Sequence, residues 1–93
     1  MILSFRCKET EKVWHRRFSK KFPADLQVCA RRKLIALHIA ASLNDLRQLP
    51  SNHLEALKKD RQGQWSIRIN KQWRVCFVWA EGNAHDVEIV DYH

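Results

Sequence analysis

Residues 57–77, LKKDRQGQWSIRINKQWRVCF, decide how this chain is read. They hold two strand-like segments, WSIRI (65–69) and WRVCF (73–77), rich in β-branched and aromatic residues and parted by a short polar loop. Before them lies a basic loop, Lys58-Lys59-Asp60-Arg61-Gln62-Gly63, in which Gly63 supplies the positive φ of a tight turn. Alternation sets Trp65, Ile67 and Ile69 on one face of the first strand, and Trp73, Val75 and Phe77 on one face of the second. If both triplets line one core, Ile69 stands opposite Trp73 and the loop is Asn70-Lys71-Gln72. The same register puts Arg68 across from Arg74 on the other face, and like charges directly opposite cost stability. A polyanion lying over that face accounts for the pair most easily; the plainer reading is two solvated arginines.

Ninety-three residues predict one domain, 1–93, large enough to bury roughly 60–65% of the surface its unfolded chain exposes. Such a core needs neither a disulfide framework nor a metal. The formal charge of +7 is unevenly placed: residues 1–50 carry 11 Lys/Arg against 4 Asp/Glu, and residues 51–93 carry 6 against 6. A pI of 9.8 with this asymmetry predicts an anionic partner. Cys7, Cys29 and Cys76 are odd in number and lack C-x-x-C spacing, so they read as reduced, buried-type side chains of a cytoplasmic protein. No stretch resembles a signal peptide or approaches the roughly 20 apolar residues of a membrane span, and no membrane association is expected.

Outward from the hairpin, residues 2–5 (ILSF) look like a first strand. Trp14, Phe18 and Phe22 at i, i+4, i+8 predict a helix over 8–21, closed by Pro23. A second helix is predicted over 24–42, with Leu26, Ala30, Leu34, Leu37 and Ala41 as its stripe and Asp25 at its positive end. Leu43, Leu46 and Leu49 suggest a short helical turn before Pro50. A strand is expected over 53–58, a hairpin turn at Ala80-Glu81-Gly82-Asn83, and a last strand over 84–92 with Val87 and Ile89 inward. The sum is an α+β fold: two N-terminal helices packed on one face of a small antiparallel sheet. Its open face then carries Arg68, Arg74, Glu88 and Tyr92, with the basic loop at the rim.

The chain ends on Val90-Asp91-Tyr92-His93, which brings a carboxylate, a phenol and an imidazole to one spot. His93 is the group suited to proton transfer near neutral pH; the plain alternative is a frayed tail. His85, Asp86, Glu88, Asp91 and His93 fall close together, but strand alternation splits them between faces and no metal-ligand spacing appears, so no metal site or cofactor is expected. His15 and His38 sit on helices without matching partners. Trp14, Trp65 and Trp73 lie on apolar stripes and read as core, with Trp79 undecided.

The run L-K-x-D-R-x-G-x-W-S-I-R, then W-R-V-C-F, then the terminal V-E-I-x-D-Y-H resembles HigB-type toxins of the RelE/ParE superfamily of bacterial toxin–antitoxin systems. The likeness covers the full length, although the start and the two helices fit less specifically. It implies a RelE-like, microbial-RNase-like fold with a concave active face. It also implies a ribosome-dependent mRNA endoribonuclease that inhibits translation without a metal: the ribose 2′-OH attacks the adjacent phosphate. The implied partners are a HigA-like helix-turn-helix antitoxin, the ribosome with its mRNA, and operator DNA reached through the antitoxin complex. Carried over by motif, the catalytic positions are Lys58, Arg74, Asp91, Tyr92 and His93. The register adds Arg68 as a phosphate contact, and the loop adds Lys59 and Arg61 for RNA. Arg31, Arg32 and Lys33, crowded on one helical turn, are expected to help hold the antitoxin, rRNA, or both. One departure stands out: some members carry a His three residues before the loop lysine, where this chain has Glu55, with His53 two residues off. A gyrase-inhibiting, non-catalytic ParE-like toxin is the alternative, against which the terminal D-Y-H argues.

Overall fold

The anticipated hairpin forms in the anticipated register: Ile67 pairs with Val75 and Arg68 with Arg74. The computed structural model describes residues 1–92. In chain order the elements are α1 (Lys8–Trp14), α2 (Ala24–Ile39), α3 (Leu43–Arg47), β1 (Glu55–Ala56), β2 (Gln64–Arg68), β3 (Trp73–Ala80) and β4 (Asn83–Asp91), with 3-10 turns at Pro50–Asn52 and Lys59–Arg61. The four strands lie in the order β1-β2-β3-β4, each antiparallel to its neighbour. The fold is α+β, as the hydrophobic periods indicate.

The core lies between sheet and helices. Leu26, Ala30, Leu34 and Leu37 of α2 face Ile67, Val75, Phe77, Val87 and Ile89 of the sheet, all buried. Each fully buried large aliphatic or aromatic side chain contributes about 1.5–3 kcal/mol. The four tryptophans border this core, partly buried. Between Cys76 and Val78 the β3–β4 register shifts by one residue, and Asp86 at φ 52 takes up the extra position. This bulge brings Ala84 inward together with Val87 and bends the strand, as bulges do. The Glu81-Gly82 turn has both central residues at positive φ, the geometry of a two-residue hairpin. Residues 2–5 form an extended segment parallel to β4, with Ile2 bridging Ala84 and Phe5 bridging Val87.

Three expectations need correction. The first helix stops at Trp14 rather than 21, because Arg16 adopts φ 61 and turns the chain; a non-glycine residue there costs about 1–2 kcal/mol. Side-chain bonds hold the chain beyond the turn. Gln27 accepts from the Ser19 N–H and donates to the Ser19 and Phe22 carbonyls, while the buried Ser19 hydroxyl donates to Glu9 at 2.7 Å. Phe22 is buried edge-on against Trp73, but Phe18 is 67% exposed. Second, α2 ends at Ile39 because Ser42 and Asp45 form a capping box that starts α3, leaving Ala41 exposed. Third, the strand expected over 53–58 is only Glu55–Ala56, since a 3-10 turn runs into it and another follows. Cys76 is buried and Cys7 half-buried, but Cys29 is exposed, off the buried stripe of α2. Among the described residues, no helix is long and apolar enough to cross a membrane.

Candidate active site

The open face of the sheet carries a polar cleft of about 470 Å³, lined by His53, Glu55, Arg68, Asn70, Lys71, Arg74 and Tyr92. Arg74 is its fixed point. Alternation along β3 sends this side chain away from Val75 and Trp73, and the strand buries it to 9% exposure. Burial of a guanidinium demands partners. Nε donates to the Ser66 hydroxyl at 2.8 Å, and Nη2 donates to the His53 carbonyl at 2.5 Å. The Glu55 carboxylate stands 3.9 Å from Nη2, and the guanidinium lies 5.6 Å from the Tyr92 ring. A guanidinium has five N–H donors in a planar fork, so these two bonds fix its plane and leave donors for an anion.

Arg68 does not collide with its partner across the pair. Its Nε donates to the Asn70 carbonyl at 3.0 Å, which draws the head toward the hairpin loop and away from Arg74. The loop itself is tied by the Asn70 side chain, which accepts from the N–H groups of Gln72 and Trp73. Lys71 is thereby carried to the rim. Three cations and one carboxylate line the cleft with one imidazole, an excess of positive charge suited to a phosphodiester.

Motif matching marks Glu55 only as a departure from a family His, with His53 two residues off, and assigns neither a role; the cleft takes in both. His53 closes the 3-10 turn Pro50–Asn52 at φ 44, and its carbonyl is the one that Arg74 holds. Below it Asn52 is fully buried, donating to the Leu46 carbonyl at 2.9 Å and accepting from the Lys33 ammonium at 2.6 Å. The turn is thus bonded on both sides. Nothing in the order of residues announces that a left-handed residue here brings His53 to the edge of the cleft.

The other expected positions divide. Tyr92 joins the cleft; its N–H donates to the Gln72 carbonyl at 2.6 Å, which continues the ladder past β4. Asp91 pairs with Trp73, on the opposite face of the strand, and its carboxylate accepts from Gln72 at 3.1 Å. His93 lies outside the described residues. Lys58 and Lys59 are exposed in the loop before β2 and do not line the cleft. Arg61 is bonded to Glu88 at 2.8 Å, which raises its already high pKa. That ion pair sits over Cys76, whose thiol is pushed up by burial.

On the helix layer, Arg31 donates to the Trp14 carbonyl at 3.3 Å and lies 5.6 Å from its ring. Arg32 is exposed beside it. Lys33 is committed to Asn52, and burial lowers its pKa.

This fold is that of small bacterial toxins. The YoeB/ParE toxin from Agrobacterium tumefaciens superposes over the whole of both chains with a TM-score of 0.55 at 19% identity. YafQ from E. coli strain BL21(DE3) superposes over 98% of this chain and 93% of its own with a TM-score of 0.58 at 11% identity. Sequence narrows the class. Residues 3–93 match the family described as the RelE-like toxin of type II toxin–antitoxin system HigB, and the chain belongs to that family. Toxin HigB-1 of Vibrio cholerae serotype O1 is 35% identical over 85 residues, 90% of each chain. Endoribonuclease HigB of Proteus vulgaris is 32% identical over 94 aligned positions, the whole of both chains. A type II toxin is paired with an antitoxin, so a protein partner belongs to this chain as well.

Proposed function

We propose that this chain is an mRNA endoribonuclease that cuts messages on the ribosome, and that the open-face cleft is its active site. The observation that carries the reading is the meeting of Arg68, Lys71 and Arg74 with His53, Glu55 and Tyr92 in one cleft. The family and a relative named as an endoribonuclease support it.

The reaction needs only what RNA brings. The ribose 2′-OH loses its proton to a base and attacks the adjacent phosphorus, the 5′-oxygen leaves with a proton from an acid, and a 2′,3′-cyclic phosphate remains. The barrier lies in charge gathering on the non-bridging oxygens and in the two proton transfers. Arg74 meets the first demand, presenting a guanidinium plane fixed by Ser66 and His53 to those oxygens. Arg68 and Lys71 hold flanking phosphates at the rim. His53 and Glu55 stand at one wall as proton-transfer groups, and Tyr92 at the other offers a ring to stack on a base. The family motif also proposes Lys58, Asp91 and His93, although Lys58 stands in the loop outside the cleft and Asp91 on the opposite face of β4, and it leaves Lys59 and Arg61 along the RNA path. The antitoxin is a HigA-like helix-turn-helix protein through which the complex reaches its operator DNA.

The test is to induce the chain in cells and map 5′ ends of ribosome-bound mRNA. New cuts that vanish with Arg74→Ala support the reading. So does an mRNA carrying a single 2′-deoxyribose at a mapped position that resists cleavage there. Intact mRNA with altered plasmid supercoiling would sink it in favour of a gyrase inhibitor.

A further inference from the structure

The helix layer carries a second concavity, also of about 470 Å³, that RNA cleavage does not use. Its floor is apolar and open: Phe18, Val28 and Ile35 are 67%, 60% and 37% exposed. Its walls are Arg16, Arg17, Arg31 and Arg32. Among the described residues none of these four is in an ion pair, and no Asp or Glu lines the groove.

A solvated basic face accounts for the arginines but not for three large apolar side chains exposed together between them. Such a patch rimmed with charge marks an interaction site. It is also built in advance. The left-handed Arg16 turn lifts Arg17 and Phe18 out of the helical path and over α2, and Arg31 is held against Trp14 by a hydrogen bond and its ring. RNA would satisfy the arginines, yet its backbone offers nothing to cover Val28 and Ile35. A peptide segment with aliphatic side chains on one face and carboxylates along its edges satisfies both demands.

We propose that this groove seats an acidic, amphipathic segment of the antitoxin. The proposal rests on the toxin–antitoxin pairing of the family and not on the nuclease reading, so either can fail alone. It also moves the expected contact surface: Arg31 and Arg32 belong to it with Arg16 and Arg17, whereas Lys33 serves Asn52 inside the fold.

The experiment is calorimetric titration of the full chain with its full-length cognate antitoxin, at several salt concentrations. Val28→Asp and the double variant Arg17→Glu/Arg32→Glu should each weaken binding by about 10–100-fold, as loss of a central anchor does. The charge-reversal effect should shrink as salt rises, while that of Val28→Asp should not. All three positions are exposed, so the thermal midpoint should hold; Arg32→Ala serves as a milder variant if it does not. Affinity within twofold of the wild type for both variants overturns the proposal. So does loss of binding to ribosomes or a single-stranded RNA oligonucleotide with antitoxin affinity intact.

Discussion

The cleft on the sheet and the groove on the helices have the same volume, about 470 Å³, and both are walled by arginine, yet they treat arginine in opposite ways. In the cleft Arg74 is buried, bonded to Ser66 and to the His53 carbonyl, and has an acidic side chain at 3.9 Å. In the groove four arginines stand without acidic partners over an apolar floor. A cation clamped by a hydroxyl and a carbonyl that accept from it keeps its place when charge builds on a bound phosphate, which is what transition-state stabilisation requires. Unpaired cations on an apolar bed wait for a partner to neutralise and cover them. Burial and hydrogen bonding, rather than charge, are what separate the proposed chemical site from the proposed docking site.

The comparison breaks most readily at Arg74. Arg74→Ala should lower mRNA cleavage by about 10²–10³-fold, and Arg74→Lys should not restore it, because an ammonium lacks the fork; the check is primer-extension counts of cut message on purified ribosomes. Next comes His53. His53→Ala should cost about 10²-fold in cleavage rate and flatten one limb of the pH–rate profile, whereas a purely structural role would leave the profile's shape unchanged. A third test asks whether the turn beneath the cleft is as fixed as its bonds imply. Asn52→Ala strips the Leu46 carbonyl and the Lys33 ammonium of a buried partner and should destabilise the chain by about 1–3 kcal/mol in urea unfolding.

The smallest effect concerns the loop that leads to the groove. The Ser19 hydroxyl and Lys12 hold the Glu9 carboxyl below its ordinary value of 4.5. A lowered carboxyl adds stability that is present above the unfolded value and is lost as pH falls through the lower folded one. Glu9→Gln should therefore lower the thermal midpoint slightly at pH 6, and the gap to the wild type should close at more acid pH.

The sheet was legible because period two leaves little freedom. Once Ile67 and Val75 had to share a core, Arg68 had to face Arg74, and so it does. The helical stripe of α2 was legible for the same reason. Spacing misled at Trp14, Phe18 and Phe22, where i, i+4, i+8 mimics a helix that breaks at Arg16 and leaves Phe18 in solvent. The bracket that stabilises the break, Gln27 reaching back to Ser19 and Phe22, involves side-chain bonds that no periodicity encodes. In the site, Arg74, Arg68 and Tyr92 followed from alternation. His53 and Glu55 did not, because a left-handed residue and a two-residue strand leave no pattern. Motif matching grouped Asp91 with Tyr92, whereas strand alternation sets them on opposite faces.

The N-terminal five residues have one more consequence. Ile2 and Phe5 lie along the outer side of β4, the Ala84 N–H donates to the Met1 carbonyl at 2.9 Å, and the far strand, β1, is only two residues long. Among the described residues, neither rim of the sheet therefore offers a long row of vacant main-chain groups to a neighbouring molecule. A chain trimmed of those five residues should become prone to self-association through β4, and any purification tag is better joined by a flexible spacer that leaves Met1 docked.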